Sequence, residues 1–156
     1  MTNVTFYDGD LFDSTAQVLV HQVNAQGVMG SGVAKQVKDK YPHVFELYRR
    51  AILCDGLKLG QCQLINSHNP ENRYIGNLVG QDRYGYDGNR YTNYEAFYTG
   101  LESLKTNMEL FNLHTVAFPY NIGCDRGGAN WDIVLSMITV VFSDPKYQIE
   151  IWKYNK

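Results

Sequence analysis

The sequence lacks paired cysteine motifs and long hydrophobic runs. Its three cysteines, Cys54, Cys62 and Cys124, form an odd set without C-x-x-C spacing, which argues against a disulfide framework and against a zinc site. The apolar run MITVVF at residues 137–142 is too short to cross a bilayer, and the first residues contain no basic and apolar signal segment. We therefore expect a cytoplasmic protein with reduced thiols, no metal, no cofactor and no membrane partner.

A strong charge imbalance is also missing. The formal net charge is −2 and the pI is about 6.0, so the composition gives no general attraction to nucleic acid. Hydrophobic residues make up 44% of the 156 residues, and no Pro-rich, polar or repeated segment interrupts them. We expect one globular domain over residues 1–156, acting as a monomer.

Apolar and β-branched runs alternate with helical patterns along most of the chain. Strands are predicted at residues 4–7, 18–23, 62–66, 73–79, 115–118 and 148–152, and helices at 33–41, 44 to about 53, 92–111 and 131–142. Thr92 and Glu95 fit a T-x-x-E capping box for the third helix. This order predicts an α/β layered domain with a largely parallel buried sheet. The two successive strands within 61–79 predict an antiparallel part.

Two glycine-rich loops follow predicted strands and precede helices. The first, GVMGSGVAK at 27–35, matches neither the Walker A pattern nor the dinucleotide-binding pattern. Glycine admits positive φ and close approach to amides, and a helix amino terminus attracts anions, so the loop suits a phosphate. The alternative is a turn that only lets the helix pack closely on the strand. The second loop has a break at Pro119, glycines at 123, 127 and 128, and a helix from about Trp131. Two such loops favour a diphosphate clamp.

With both loops in view, the sequence resembles the macrodomain family. The resemblance is carried by DGDLF near the start, VLVHQVNAQGVMGSGVAKQVKDKYP and PYNIGCDRGGANW, in that order. It is most similar to the branch that holds terminal ADP-ribose glycohydrolases and ADP-ribose-1″-phosphate phosphatases. The resemblance implies a three-layer α/β/α fold with a mixed, largely parallel central sheet, and a site for ADP-ribose.

The resemblance also implies which residues contact each part of ADP-ribose. Asp10, with the Leu11 amide nearby, would accept a hydrogen bond from the adenine amino group, and Asn24 would lie by the distal ribose. The pyrophosphate would lie between the two loops, contacting Gly30, Ser31, Gly32 and Val33 on one side and Pro119, Asn121, Ile122, Gly123, Cys124 and Asp125 on the other. Tyr154 or Trp152 would pack by adenine. Asp10 could instead be an ordinary turn residue, and either aromatic a core or edge residue.

The residues expected to act in catalysis depart in part from this branch. His21 could serve as a general base or position a water, or could be a strand histidine in the core. Asp125 could orient water or belong to a solvated turn. Gly80 and Gln81 stand where the glycohydrolases have a lysine, and Gly127 stands where they have an aspartate. Cys124 is expected to be a small packed residue.

The segment QDRYGYDGNRY at residues 81–91 has two interpretations. It is either a tyrosine-rich surface loop or a cover over the cleft, with Tyr84 or Tyr86 over the ribose and Gln81 or Asp82 holding water.

Three functions remain open at this point. The first is hydrolysis of a terminal group of ADP-ribose, either a 1″-phosphate or an ADP-ribosyl link to a macromolecule, by metal-free attack of water. The second is an ADP-ribose reader without chemistry. The third is single-stranded nucleic-acid binding through residues of the tyrosine-rich segment, namely Arg83, Tyr84, Tyr86, Arg90 and Tyr91.

Overall fold

The computed structural model describes residues 3–68, 73–85, 87 and 89–154. In this part of the chain, strands and helices alternate as the sequence predicts. The strands are β1 (Val4–Asp8), β2 (Val18–Asn24), β3 (Cys62–Asn66), β4 (Tyr74–Gln81), β5 (Thr115–Pro119) and β6 (Gln148–Lys153). The helices are α1 (Gly32–Lys40), α2 (Pro42–Arg50), α3 (Tyr94–Leu110) and α4 (Trp131–Val141), with a short 3-10 helix at Leu11–Asp13 and a π-helical turn at Ala51–Asp55.

The six strands form one sheet in the order β1-β6-β5-β2-β4-β3. All neighbours are parallel except β3 and β4, which pair antiparallel. The prediction of a largely parallel sheet with one antiparallel part is confirmed. Strand β2 is buried along nearly all its length, as expected for a central strand covered on both faces.

Helices cover both faces of the sheet and complete the predicted three-layer α/β/α architecture. Helices α3 and α4 pack on one face through Phe97, Leu101, Leu104, Val134 and Ile138, against Val18, Val20, Leu78, Val116 and Phe118 of the sheet. Helices α1 and α2 pack on the other face through Val37, Val44 and Tyr48, against Leu19, Val23, Ile75, Val79 and Ala117. Burial of apolar area on both faces is the main stabilising contribution.

The predicted capping box of α3 is wrong. Asn93 is the N-cap, and its side-chain oxygen accepts a hydrogen bond from the Ala96 amide at 3.0 Å. Thr92 is 1% exposed, and its hydroxyl donates to the Gly123 carbonyl at 2.7 Å. Asparagine caps a helix as well as threonine does, so the sequence pattern alone could not separate the two adjacent candidates.

Helix α2 also begins and ends earlier than predicted. Pro42 stands in its first turn, where a proline costs no helical hydrogen bond. The regular helix ends at Arg50 and passes into the π-helical turn, which ends at Gly56 with φ 83°. Strand β4 continues two residues beyond the predicted Val79, to Gln81.

The carboxyl ends of parallel strands meet at one edge of a sheet. The loops after β2, β4 and β5 therefore lie side by side, since these strands are neighbours in the sheet. Open α/β sheets bind ligands at this edge. Among the described residues, no helix has the length and hydropathy that crossing a membrane requires.

Candidate functional site

A cavity of about 500 Å³ lies at this edge, and both glycine-rich loops line it. Its floor is formed by the end of β2, and its walls by the loops after β2, β4 and β5. The predicted ligand residues that line it are His21, Asn24, Gly30, Ser31, Gly32, Val33, Pro119, Asn121, Ile122, Gly123 and Asp125. Five residues predicted to contact the ligand lie outside the lining, namely Asp10, Leu11, Cys124, Trp152 and Tyr154.

The first loop presents the amino terminus of α1 to the cavity. Ser31 is the N-cap and forms no side-chain cap hydrogen bond, and Gly32 begins the helix with φ 61°. This φ is unfavourable for residues other than glycine. The first N–H groups of a helix have no partner within the helix, so α1 directs several amides and the positive end of its dipole to the cavity. Met29, within the same loop, is 1% exposed and packs into the core.

Asn24 holds the first loop in shape. Its side-chain oxygen accepts hydrogen bonds from the Gln26 amide at 3.0 Å and the Val28 amide at 3.3 Å, and its Nδ2 donates to the Val28 carbonyl at 2.9 Å. The buried Tyr48 hydroxyl donates to the Asn24 carbonyl at 2.5 Å. These bonds engage most of the hydrogen-bonding capacity of Asn24, which limits the contacts it can offer to a ribose.

The second loop turns sharply, and two of its amides form hydrogen bonds within the turn. The Ile122 amide donates to the Pro119 carbonyl at 3.1 Å, and the Cys124 amide donates to the Asn121 carbonyl at 2.8 Å. Within the described residues, the Gly123 and Asp125 amides have no acceptor. In this turn, the Gly123 and Asp125 amides are therefore the ones that remain available to a ligand.

The Cys124 thiol does not line the cavity. Burial raises its pKa to about 11, so the thiol is protonated at neutral pH. This agrees with the expectation of a packed residue, because the nucleophilic form of cysteine is the thiolate.

His21 lies at the floor of the cavity in a row of polar side chains that crosses three strands. The sheet register places His21 beside Asn77, and Asn77 beside Gln63. The His21 Nε2 lies 2.5 Å from the Asn77 Oδ1, and the Asn77 Nδ2 donates to the Gln63 Oε1 at 3.1 Å. The Gln63 Nε2 donates to the Leu47 carbonyl of α2 at 3.3 Å.

The hydrogen bonds of this row assign the tautomer of His21. The Leu47 carbonyl can only accept, so Gln63 turns its N–H to Leu47 and its oxygen to Asn77. Asn77 must then donate to Gln63 and turn its own oxygen to His21. The His21 proton consequently lies on Nε2, and Nδ1 is an acceptor without a partner among the described residues.

His21 is neutral at physiological pH. Burial lowers its pKa to about 4, and the bond from Asn77 offsets only part of that effect. A neutral imidazole can accept a hydrogen bond from a hydroxyl or a water through Nδ1. It is a weak base at pH 7, since a general base works best with a pKa near the operating pH.

The residues predicted for adenine lie beyond one end of the cavity. The Asp10 Oδ1 accepts from the Phe12 amide at 2.9 Å and caps the 3-10 helix, and Leu11 is buried. Trp152 stacks on Tyr7 with ring centroids 4.7 Å apart and contacts Gly9. Tyr154 is 66% exposed. Of the two aromatic candidates, Trp152 is the one that lies beside the Gly9–Asp10 turn.

The tyrosine-rich segment contributes Gln81, Tyr84 and Gly85 to the cavity lining. The Asp82 carbonyl accepts from the Ala25 amide at 3.0 Å and ties the segment to the first loop. Asp82 itself is not part of the lining. Tyr86 lies outside the described residues.

The other residues predicted for nucleic-acid contact have partners within the protein. Arg90 lies over the Tyr94 ring at 4.5 Å. The Tyr91 hydroxyl donates to the Asp87 Oδ2 at 2.8 Å. This hydrogen bond is the largest of the causes that lower the pKa of the Asp87 carboxyl.

The two glycines that depart from the glycohydrolase pattern are closely packed. A Cβ on Gly80 would overlap the Gln22 side-chain oxygen, and a Cβ on Gly127 would overlap the Thr92 hydroxyl and the Gly123 carbonyl. Sequence reasoning missed Gln22 and Thr92. Gln22 could have been found from the sequence, because it is a polar residue in the largely apolar run VLVHQV.

Comparison with known proteins identifies the family of the chain. A family model described as Macro domain matches residues 20–138. The chain is 28% identical over 141 residues to a DNA ADP-ribosyl glycohydrolase of Mycobacterium tuberculosis, an alignment that covers 89% of this chain and 38% of the relative. An ADP-ribose 1″-phosphate phosphatase of Neosartorya fischeri is 45% identical over 49 residues, which cover 31% of this chain and 24% of the relative.

Among solved structures, the macrodomain of Mycobacterium tuberculosis DarG superposes with a TM-score of 0.86 at 26% identity, covering 96% of each chain. The chain thus matches a whole solved macrodomain, but spans less than two fifths of the length of the curated glycohydrolase.

Proposed function

Because the chain belongs to the macrodomain family, we propose that its cavity binds ADP-ribose and that the domain removes ADP-ribose from a macromolecule by hydrolysis. The observation that carries the binding proposal is that both glycine-rich loops line one cavity of about 500 Å³. The pyrophosphate lies between the amides at the start of α1 and the Gly123 and Asp125 amides. Preorganised amides of this kind bind an anion without a cationic side chain.

The remaining parts of the ligand follow from this placement. Adenine lies toward the Gly9–Asp10 turn and Trp152, and the distal ribose lies toward His21. The Nδ1 of His21 is buried and has no partner among the described residues; a ribose hydroxyl or a water that reached it would satisfy it, because both can donate.

The proposed chemistry is attack by water at C1″ of the distal ribose. The bond between C1″ and the macromolecule breaks, the oxygen of the water becomes the ribose hydroxyl, and a proton of the water goes to the leaving group. Asp125 is an exposed carboxylate at the cavity and directs the water, while His21 accepts a hydrogen bond from the ligand. The names of the relatives support an ADP-ribosyl link to DNA as the first bond to test, with the 1″-phosphate of ADP-ribose as the second.

A reader without chemistry is the second candidate. It is favoured by the absence of the lysine and the aspartate of the glycohydrolases, in whose places stand Gly80 with Gln81 and Gly127, and by the low basicity of His21. Binding is common to both candidates, and only turnover separates them.

Calorimetric titration with ADP-ribose tests the shared part. Turnover is then measured on ADP-ribosylated DNA, ADP-ribose-1″-phosphate and mono-ADP-ribosylated protein, with Asp125→Ala and a matched Asp55→Ala control in an exposed turn away from the cavity. Turnover that is lost only in Asp125→Ala supports the hydrolase. Tight binding without turnover selects the reader. Absence of binding by the folded wild type refutes both.

A further inference from the structure

The second glycine-rich loop has internal backbone hydrogen bonds and is also contacted from outside. Three hydrogen bonds reach it from two residues that precede α3. The Thr92 hydroxyl donates to the Gly123 carbonyl at 2.7 Å, and the Tyr91 and Thr92 amides donate to the Gly127 carbonyl at 2.7 and 2.9 Å. Thr92 therefore contacts both limbs of the loop.

The glycines of the loop fit against this support. A Cβ on Gly123 would lie 3.1 Å from the Thr92 Oγ1, a Cβ on Gly127 would overlap the same atom, and a Cβ on Gly128 would lie 2.9 Å from the Asn89 carbonyl. Close approach to residues 89–92 is thus a sufficient reason for the glycines, in addition to any approach of a ligand.

Thr92 in turn accepts a hydrogen bond from Gln22, a residue at the floor of the cavity. The Gln22 Nε2 donates to the Thr92 Oγ1 at 2.8 Å and to the Gln81 Oε1 at 2.5 Å, and the Gln81 Nε2 donates to the Arg83 carbonyl at 2.7 Å. The chain of bonds joins β2, the end of β4 and the second loop. Thr92 is 1% exposed and does not line the cavity, so it acts through its neighbours.

We propose that Thr92 is a positioning residue whose hydroxyl sets the orientation of the second loop and thereby its affinity for the pyrophosphate of ADP-ribose; this rests on the proposed function. The Gly123 carbonyl accepts from the Thr92 hydroxyl at 2.7 Å and from the Ala129 amide at 3.0 Å. The Thr92 bond is the one that comes from outside the loop, and it fixes the peptide between residues 123 and 124, which lies between the two amides assigned to the anion. Without the hydroxyl, the loop samples orientations in which these amides diverge.

A graded series of substitutions tests this role. Thr92→Val keeps the shape and removes the donor, Thr92→Ser keeps the donor, and Thr92→Cys keeps a weaker donor. Thr139→Val is the matched control, because the Thr139 hydroxyl donates to the Ser136 carbonyl at 2.9 Å within α4, away from the cavity. The measurements are calorimetric affinity for ADP-ribose and amide hydrogen exchange of residues 121–129 in the free proteins.

We expect Thr92→Val to weaken binding about tenfold, as for the loss of one buried hydrogen bond, and to speed exchange across the loop. Thr92→Ser should stay within about threefold of the wild type, Thr92→Cys should fall between them, and Thr139→Val should match the wild type. If Thr92→Val does not fold, the comparison of Thr92→Cys with Thr92→Ser decides.

The proposal is overturned if a folded Thr92→Val binds and exchanges like the wild type, or if Thr92→Ser loses as much as Thr92→Val. Failure of the wild type to bind ADP-ribose would refute the proposed function, while the exchange measurements would still decide whether Thr92 orders the loop.

Discussion

The buried neutral state of His21 makes stability depend on pH in a defined window. In the unfolded chain the imidazole titrates near its ordinary pKa of 6.5, whereas in the folded chain burial lowers that value to about 4. Between these values the unfolded state binds a proton that the folded state does not, so the free energy of unfolding falls as pH falls. At 1.36 kcal/mol per pH unit, the interval from 6.5 to about 4 corresponds to a loss of about 3 kcal/mol.

Urea unfolding at several pH values between 7.5 and 4.5 measures this effect. Carboxylates also contribute below pH 5, so the informative quantity is the difference between the wild type and His21→Gln, which preserves an N–H donor for Asn77. We expect this difference to change by about 2.5 kcal/mol from pH 7.5 to pH 4.5. His68→Gln removes an exposed histidine and leaves His21 in place, so its curve should keep the slope due to His21. Parallel curves for wild type and His21→Gln would refute the buried neutral histidine.

Three further predictions concern packing, thiol reactivity and salt. A Cβ on Gly100 would lie 2.9 Å from a Leu78 methyl. Gly100→Ala should therefore lower the free energy of unfolding by about 1–3 kcal/mol, although alanine favours a helix over glycine by about 1 kcal/mol. Thermal unfolding measures this change, and a stabilised variant would contradict it. Iodoacetamide should label the exposed Cys54 well before Cys124, because the Cys124 thiol is partly buried and burial raises its pKa to about 11. Mass spectrometry of tryptic peptides measures the order of labelling, and labelling of Cys124 first would contradict this prediction. Among the described residues that line the cavity there is no lysine, and Arg126 is the one arginine. The affinity for ADP-ribose should therefore fall less than about threefold between 50 and 500 mM salt. A steep loss of affinity with salt would indicate binding by cationic side chains instead.

The strands and helices of the fold could be predicted because local sequence patterns specify them. The strands and helices follow from apolar periodicity and from glycine, asparagine and proline at their ends. The sequence could not predict that Asn93, and not Thr92, caps α3, because both residues are good caps and the choice between them depends on a distant partner. Thr92 is buried because its hydroxyl bonds to Gly123, which is 31 residues away in the chain.

The two loops of the site were predictable, but the roles of individual residues were less so. Glycine spacing after strands indicates where backbone donors face a ligand, and both loops do line one cavity. Sequence cannot show which amides are already bonded, as those of Ile122 and Cys124 are. It also cannot show that Asn24 is engaged by its own loop, since that depends on the turn geometry and on Tyr48 from α2.

The charge distribution of the cavity connects these observations. The floor carries uncharged polar groups, His21, Gln22 and Asn24, whereas the charged lining residues, Asp125 and Arg126, are exposed. Burying an ion pair at the floor would cost more desolvation energy than neutral amides do. An uncharged floor suits a sugar with hydroxyl groups, and backbone dipoles suit the diphosphate next to it. Burial keeps His21 neutral at this floor, while the row of hydrogen bonds that starts at the Leu47 carbonyl, which can only accept, orients the Gln63 and Asn77 amides and the imidazole.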